Sequence, residues 1–344
     1  MLISGIRQFD RDLNVLIADV APSLLAPKGY RARAKLGRAF QRYFDNKTTG
    51  PDKGSAMANV RDSTATERGI NNDNKGRLEV GALLGILANT IPTTFYMLVH
   101  LFSDADLLRD IRDELEATCV FGHPGDKART INIMTMREQC SLIYSVFQEL
   151  LRMHALGTGS RYVRDDVLLN DQYLLKKGMI VQMPMAVMHG DPSVWGTDAK
   201  DFKPRRFLKQ GGAKPNISAY RPFGGGASLC PGRHFVALEI MALAACMVLR
   251  FDMASVAGDW TVPAQKQISL ATNVFPPAAD IQVRITRRKG FEDVKWDISM
   301  SGYSLSTVPP ITAFQYPRGC QITFSGGCIL LALARRCEIK SLIG

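Results

Sequence analysis

The sequence contains no Cys-x-x-Cys pair, and its seven cysteines have no spacing typical of a zinc site or a disulfide framework. It also lacks a block of lysine and arginine interleaved with aromatic residues, so we expect no nucleic-acid partner despite a net charge of +11. Its first residues, MLISGIRQFDRD, reach a charge before the apolar core of a signal peptide can form. These absences predict a chain from a reducing compartment, without a leader or anchor, whose basic charge serves an acidic protein or a membrane surface.

Charge is missing from one long stretch. Residues 80–103, VGALLGILANTIPTTFYMLVHLFS, contain no Asp, Glu, Lys or Arg and are long enough to span a bilayer. Polar residues and a proline lie inside the stretch, among them Asn89, Thr90 and Pro92, and polar groups are costly at membrane depth. We therefore predict a helix buried in the middle of a folded domain rather than a transmembrane span.

The composition is that of a globular protein, with 46% hydrophobic and 22% charged residues. Apolar residues recur at helical spacing through most of the chain, whereas residues 160–189 alternate as strands do. We predict a mainly α fold with a small antiparallel β-sheet. Two helices are expected in residues 1–45, and further helices over 103–119, 135–154 and 231–249. Residues 299–344 lack periodicity, so we divide the chain into a domain at 1–298 and an atypical, poorly ordered extension at 299–344.

Three glycines and a proline surround a single cysteine in PFGGGASLCPGRHF, residues 222–235. The segment is not a dinucleotide fingerprint, because Leu229 stands where the last glycine of GxGxxG would be, and the chain has no P-loop. A buried free cysteine is one interpretation of Cys230. A cysteine nucleophile is another, since three histidines could serve as its base: His154, His189 and His234.

A third interpretation follows from the spacing F-x-x-G-x-x-x-C-x-G, which is met by Phe223, Gly226, Cys230 and Gly232. This pattern lays a glycine-rich loop against a planar ligand and offers the cysteine sulfur from the start of a helix. Backbone N–H groups at helix starts favour thiolates, the form of cysteine that binds metal. A thiolate on the proximal side of haem iron favours cleavage of the O–O bond.

With these residues the chain resembles the cytochrome P450 family of haem-thiolate monooxygenases. ELLR places Glu149 and Arg152 on one helix face, and PRRF supplies Arg206, which in that family completes a buried Glu–Arg–Arg set. The resemblance implies haem b (iron protoporphyrin IX) with Cys230 as the axial iron ligand. It also implies insertion of one oxygen atom from O2 into a large apolar substrate of the steroid, terpenoid or polyketide type. The electrons would come from NADPH–cytochrome P450 reductase or another donor.

Within the uncharged stretch, the resemblance places Ala88 where most members carry a catalytic acid and Asn89 where they carry an alcohol, with Thr90 next. The string ANTIP is similar to the branch that contains cholesterol 7α-hydroxylase and prostacyclin synthase. We expect Ala88, Asn89 and Thr90 to mark the catalytic side of the haem. Arg161 matches the position that pairs with a haem propionate, whereas Ser228 stands where many members have a second basic residue.

The resemblance covers residues 1–298, about two-thirds of a typical member, so we expect a P450 fold lacking its N-terminal third. A full-length relative would sit on the cytosolic face of the endoplasmic reticulum membrane, whereas this chain, without an anchor, could be cytoplasmic. Two alternatives remain open at this stage. One is a peroxide isomerase or dehydratase of the same fold, which needs no acid–alcohol pair or reductase, and the other is a non-catalytic, truncated remnant.

Overall fold

The computed structural model describes residues 2–46, 55–208, 217–266, 272–300 and 320–324. These residues form two compact units. The first contains the described residues up to Asn89 together with Thr272, and the second contains Thr90–Lys266 and the described residues from Asn273 onward. The long uncharged helix contributes to both units, because the division falls within it.

The first unit is helical. Its core holds Phe9, Leu13, Leu16, Leu36 and Val80, all of which are less than a tenth exposed. The prediction of two helices before residue 46 was wrong, because non-helical backbone at Asp12, at Asp19 to Ala21 and at Ala26 divides this region into four helices. Asp19 and Ala21 adopt left-handed backbone angles. The helices are α1 (Leu2–Arg11), α2 (Leu13–Ala18), α3 (Pro22–Leu25), α4 (Pro27–Asp45), α5 (Ala56–Glu67) and the first part of α6 (Asn72–Ser103).

The second unit packs its helices around the C-terminal half of α6. The helix predicted over 135–154 is divided at Cys140, whose non-helical backbone ends one helix and precedes the next. The helix at 103–119 begins as predicted, with the Asp104 carboxylate accepting a hydrogen bond from the Leu107 N–H at 2.9 Å. The remaining helices are α7 (Ala105–Thr118), α8 (Ile133–Gln139), α9 (Ser141–His154), α10 (Met185–His189), α11 (Pro192–Trp195) and α12 (Arg233–Arg250).

By length and composition α6 could cross a membrane, since it has 32 residues and a mean hydropathy of 1.5 in its most apolar window. However, 56% of that window is buried inside the protein, and Phe95, Tyr96, Met97 and Leu98 are 0% exposed. Such burial is typical of the central helix of a large core. The structure therefore favours the predicted buried helix over a transmembrane span.

The strands form small sheets rather than one. β1 (Val120–Phe121) pairs antiparallel with β2 (Ala128–Asn132), and β2 pairs in parallel with β9 (Lys295–Ser299). Other strands in the described part of the chain pair antiparallel. β3 (Thr158–Tyr162) pairs with β6 (Ile180–Pro184), and β4 (Val167–Leu169) pairs with β5 (Tyr173–Leu175). β8 (Ile281–Arg287) lies between β7 (Phe251–Ser255) and β10 (Cys320–Phe324) and pairs with both. The mainly helical fold class is confirmed, but the single antiparallel sheet is replaced by several sheets that include a parallel pair.

The predicted extension at 299–344 lies mostly outside the described residues. Of that segment, the structure describes residues 299 and 300 and strand β10. Strand β10 pairs antiparallel with β8, with Ile322 opposite Val283.

Candidate active site around Cys230

Cys230 lies three residues before α12, in a loop that closes on itself. Its backbone N–H donates to the Phe223 carbonyl at 3.0 Å, and the Arg233 guanidinium donates to the Cys230 carbonyl at 3.1 Å. Phe223 packs against the main hydrophobic core, whereas Cys230 is only half-buried. The loop thus holds the thiol in a fixed position at the start of α12 without burying it.

The glycines of this loop are required by its shape. Gly224 and Gly226 have φ angles of +77° and +64°, in the left-handed region that favours glycine. A Cβ on Gly225 would lie 2.7 Å from the guanidinium of Arg221, so a side chain there would displace the arginine. A Cβ on Gly226 would meet no atom within 4 Å, so the loop faces open space at this point.

Apolar side chains beside Cys230 are also left open. Leu229 is 39% exposed, and Phe235, on the first turn of α12, is 55% exposed. Large apolar groups exposed together next to a half-buried thiol are typical of a ligand surface. A flat, apolar group with a metal that accepts a thiolate fits this surface, and the residues present therefore suit haem.

Arg161, on strand β3, reaches the same loop. Its Nη2 donates to the Gly225 carbonyl at 2.7 Å and to Ser228 Oγ at 2.6 Å, while the arginine itself stays exposed. The structure thus brings Arg161 together with Ser228, which occupies the position where many P450 sequences have a second basic residue. The charge of Arg161 lies at the edge of the Cys230 loop, and its pairing with a carboxylate of a ligand stays a prediction.

Glu149 and Arg152, both on α9, meet Arg206 in the interior of the second unit. The Glu149 carboxylate accepts from Arg152 Nε and Nη2, each at 2.7 Å, and from Arg206 Nε at 3.1 Å. It also accepts from the backbone N–H of Lys203 at 2.9 Å. Glu149 is 0% and Arg152 1% exposed, so this is a buried, fully hydrogen-bonded charge cluster.

The two arginines use their remaining donors on the last residue of α10 and on the segment that follows it. Arg152 Nη1 donates to the carbonyls of His189 and Ala199 at 2.7 and 2.6 Å. Arg206 Nη1 donates to the Asp198 carboxylate at 3.0 Å, and this hydrogen bond lowers the pKa of that carboxyl group. The cluster therefore fixes a long irregular segment against α9, which regular secondary structure alone could not do.

His189 links this cluster to the Cys230 loop, a role that the sequence analysis missed. Its Nε2 accepts from the backbone N–H of Arg221 at 3.0 Å, which leaves Nδ1 as the donor to the Arg152 carbonyl at 3.1 Å. Burial lowers the pKa of His189 to about 4, so the ring stays neutral and this tautomer is fixed. The only sequence signal was the histidine itself in HGDP, and nothing in that string specifies both partners.

A second group of buried rings lies at the end of α9. His100 Nε2 and His154 Nε2 are 3.0 Å apart, and His154 stacks on Tyr96 with ring centroids 4.0 Å apart. Burial lowers the pKa of His154 to about 3 and that of His100 to about 4, so both rings are neutral at physiological pH. Neither ring contacts Cys230 among the described residues. The name "the three histidines" below means His100, His154 and His189, which is a different set from the three candidate bases of the sequence analysis.

The residues predicted to be catalytic on α6 are divided between the two units. Ala88 and Asn89 end the part of α6 in the first unit, and Thr90, which is buried, begins the part in the second. Pro92 lies within an unbroken helix and cannot donate to the carbonyl four residues earlier, while Thr94 Oγ1 donates to the Thr90 carbonyl at 2.8 Å. The catalytic role of these three residues stays a prediction.

Comparison with known proteins identifies relatives over most of the chain. The family model described as Cytochrome P450 matches residues 66–276. A cytochrome P450 monooxygenase, nodJ, from Hypoxylon pulicicidum is 36% identical over 85% of this chain, and one from Gibberella zeae is 31% identical over 86%. A cholesterol 7-alpha-monooxygenase from Cricetulus griseus is 25% identical over 82% of the chain, in keeping with the branch that the ANTIP string indicates.

The chain spans 59% of the length of the two fungal relatives and 58% of the hamster relative. Among solved structures, the retinoic acid bound cyanobacterial CYP120A1 matches with a TM-score of 0.63 at 21% identity, covering 84% of this chain and 64% of that one. This likeness supports the fold alone. Together with the family match, it accounts for the mainly helical architecture with small sheets.

Proposed function

Because this chain belongs to the cytochrome P450 family, we propose that it holds haem b through the thiolate of Cys230 and acts as a monooxygenase. One oxygen atom of O2 would enter a large apolar substrate of the steroid, terpenoid or polyketide type. The observation that carries the proposal is the Cys230 loop, in which a half-buried thiol stands among positive-φ glycines and exposed apolar side chains.

Haem bound by a thiolate would supply the iron on which O2 is activated. The chain's own residues would then perform binding and orientation. The Cys230 thiolate would bind the metal, Phe223 would support the loop from the core side, and Leu229 and Phe235 would keep water from the thiolate. Arg161, already directed to Gly225 and Ser228, would hold a propionate carboxylate at the edge of the loop.

The buried charge cluster would act through position rather than chemistry. Glu149 orients Arg152, whose Nη1 and backbone carbonyl both contact His189, and His189 accepts from the Arg221 N–H at the entry to the Cys230 loop. Each contact is a direct hydrogen bond, so a displacement at one end would be transmitted to the loop. We propose that Arg206, through Asp198 and Glu149, anchors the same frame from the other side.

On α6, Ala88 has no proton to give, so the usual acid of the family is absent there. Asn89 and Thr90 carry side chains that can donate and accept hydrogen bonds. We propose that they hold a water molecule that passes on the two protons required when one oxygen atom of O2 leaves as water. The helix has a carbonyl without its usual donor next to them, because of Pro92.

Two electrons must reach the metal from a donor, which we propose to be NADPH–cytochrome P450 reductase or a similar protein. The net charge of +11 is complementary to an acidic donor and would speed the encounter at low salt. We further propose the location that the family resemblance implies for a full-length relative, the cytosolic face of the endoplasmic reticulum membrane.

A second candidate is an isomerase or dehydratase that acts on a peroxide substrate without a reductase. It is favoured by one observation, the replacement of the acid–alcohol pair by Ala88 and Asn89. The two functions separate by their products. Without any electron donor, the second converts an organic hydroperoxide into its own isomer or dehydrated product, whereas the first needs two electrons from a donor to transfer an oxygen atom from O2 to a separate substrate.

The proposal is tested by haem titration of the purified full chain. We expect binding of one haem per chain, its loss or a changed spectrum in Cys230→Ala, and no change in Cys246→Ala. The control cysteine lies on α12, is mostly buried, and has its pKa raised to about 11 by burial, so it does not offer a thiolate. Equal spectra for both variants would refute ligation by Cys230.

Turnover then tests the reaction class. With a reductase, NADPH and ¹⁸O2, the monooxygenase proposal expects one labelled oxygen atom in the product of a steroid or terpenoid substrate. Haem binding without turnover under any of these conditions would instead support a non-catalytic remnant.

A further inference from the structure

Two free cysteines, Cys119 and Cys140, lie side by side in the core of the second unit. Their side chains hydrogen-bond to each other, and the Cys140 thiol also bonds to the side chain of Thr118. Cys119 is 0% and Cys140 1% exposed, and both belong to the main hydrophobic core. Both are present as thiols, so this cysteine pair is in its reduced form.

The helices next to the cysteine pair are held together at the start of α9. Cys119 directly follows α7, and Cys140 directly precedes α9. The Glu114 carboxylate of α7 accepts hydrogen bonds from the backbone N–H groups of Leu142 and Ile143 at 2.7 and 3.1 Å. It therefore caps α9, a task that the Cys140 side chain does not perform. This contact fixes the positions of both cysteines independently of their thiols.

The two thiols differ in acidity. As a thiol, Cys119 donates to the Leu115 carbonyl of its own helix at 3.4 Å, and its sulfur accepts from Cys140. The hydrogen bond from Cys140 lowers the pKa of Cys119, whereas the same hydrogen bond and burial raise the pKa of Cys140. The thiolate is the nucleophilic form of cysteine. Cys119 is therefore the attacking sulfur of the pair, and Cys140 is the sulfur that keeps its proton.

The cysteine pair lies just below the surface. Cys140 stands between Gln139 and Ser141, which are both exposed, and Cys119 is followed by the half-buried Val120. Both cysteines also lie at helix ends, where the chain opens locally more readily than in the middle of a helix. A molecule as small as hydrogen peroxide can therefore reach the sulfurs without unfolding of the whole unit.

We propose that Cys119 and Cys140 form a reversible disulfide in response to hydrogen peroxide, and that this bond links α7 to α9. In the first step the Cys119 thiolate attacks one peroxide oxygen, the O–O bond breaks, and the leaving hydroxide takes up a proton to give water. In the second step the Cys140 sulfur loses its proton and attacks the sulfenic acid on Cys119, whose hydroxyl group leaves as a second water molecule. Two thiols and one peroxide thus give one disulfide and two water molecules.

The disulfide would act on the helix that carries the buried charge cluster. Glu149 and Arg152 lie on α9, and Arg152 contacts His189, which holds the entry to the Cys230 loop. A covalent bond at the start of α9 would keep this helix in place when the Glu114 cap opens. Thiol exchange with a dithiol would restore the reduced pair. The proposal is independent of haem and of the proposed reaction.

The first test is peptide mapping of the purified full chain after a pulse of hydrogen peroxide. Free thiols are blocked with N-ethylmaleimide, and the chain is digested with trypsin without reduction. Trypsin places the two cysteines in separate peptides, 113–127 and 138–152, which the disulfide joins. We expect the joined peptides to appear with peroxide and to separate again after dithiothreitol. Their absence overturns the proposal, whether or not other cysteines of the chain are oxidised.

Single variants test the roles of the two sulfurs. Cys140→Ser places a residue that is favoured before a helix at the start of α9, so this variant should fold. We expect its Cys119 to stop at the sulfenic acid after peroxide and to be labelled by dimedone on unfolding. In Cys119→Ser we expect no labelled Cys140. The opposite labelling pattern would refute the assignment of Cys119 as the attacking sulfur.

The control is Cys246→Ala, because Cys246 on α12 is a buried thiol whose pKa is also influenced by Cys119. This variant should form the joined peptides like the unchanged chain. A disulfide between Cys119 and Cys246 in the unchanged chain would refute the pairing.

Urea unfolding followed by tryptophan fluorescence tests the link between the helices. A disulfide restricts the unfolded chain, so we expect the midpoint of the oxidised chain to be higher by roughly 1 M than that of the reduced chain. Peroxide should leave the midpoint of Cys140→Ser unchanged. An equal or lower midpoint for the oxidised chain would refute the proposal that the bond holds α9 in place.

Discussion

Removal of the Glu149 charge is the perturbation that the structure describes in most detail. In Glu149→Gln, the carboxylate that accepts four hydrogen bonds is replaced by an amide whose NH2 group would face the donors of Arg152. Arg152 is 1% exposed and pairs with no other carboxylate among the described residues, so its charge becomes uncompensated. Arg206 is less affected, because its Nη1 keeps the Asp198 carboxylate at 3.0 Å.

Breaking a buried ion pair by removing one partner costs about 3–5 kcal/mol. Summing the lost hydrogen bonds separately would give more, but such values are not additive for one group. Since whole proteins are stabilised by roughly 5–15 kcal/mol, we expect Glu149→Gln to remove about a fifth or more of the free energy of unfolding. The change should appear as a clearly lower denaturant midpoint.

The assay is urea denaturation followed by tryptophan fluorescence. All three tryptophans lie in the second unit, and the ring of Trp195 covers the Arg152 guanidinium at 5.3 Å, so the signal reports the part that is perturbed. The control is Asp106→Asn, which breaks an ion pair of the same i,i+3 spacing to Arg109 on α7. Its side chains are 82% and 63% exposed, and we expect no resolvable change. Equal midpoints for Glu149→Gln and the unchanged chain would refute the reasoning.

Further predictions concern packing, ligand retention and pH. Gly157→Ala should destabilise the fold strongly, because its Cβ would lie 2.0 Å from Asn273 Oδ1. The control Gly159→Ala should be tolerated, because the nearest atom to its Cβ is 3.6 Å away. The midpoints of thermal unfolding of the two variants test this difference. Arg161→Ala should release haem roughly tenfold faster to apomyoglobin, whereas Arg164→Ala should release it at the unchanged rate, since Arg161 contacts the Cys230 loop and Arg164 has no such contact among the described residues. Burial lowers the pKa of each of the three histidines to between about 3 and 4, so they stay neutral in the folded state. Since the unfolded chain binds their protons below about pH 6.5, stability should be level above that pH. Below it, stability should fall toward pH 4 by at most about 1.4 kcal/mol per unit per histidine, and a flat profile in urea titrations between pH 7 and pH 5 would contradict this.

Local signals predicted the features that depend on neighbouring residues. The α7 start followed from Asp104, a side chain that caps its own helix, and the buried helix followed from the uncharged run around Pro92. The Cys230 loop was recognised because its glycines and its cysteine lie within ten residues of one another. In each case the interacting groups are close in sequence, so the pattern holds the information.

Contacts between distant segments could not be predicted in this way. The parallel pairing of Arg129 with Trp296 joins strands far apart in sequence, and no periodicity in either strand indicates the other. The contacts of His189 could not be predicted for a similar reason. Its partners are the backbone carbonyl of Arg152 and the backbone N–H of Arg221, and almost any residue at those positions would supply the same groups. The early helices were miscounted because the breaks between them occur without glycine, among them the left-handed turn at Asp19 and Ala21.

The most direct test of the account is the absorption spectrum of the purified chain with haem, reduced with dithionite and exposed to carbon monoxide. We predict the far red-shifted Soret band that thiolate ligation produces, present in Cys246→Ala and absent in Cys230→Ala. A band at the position typical of a neutral ligand in the unchanged chain, or the same band in both variants, would contradict the claim that Cys230 holds the metal.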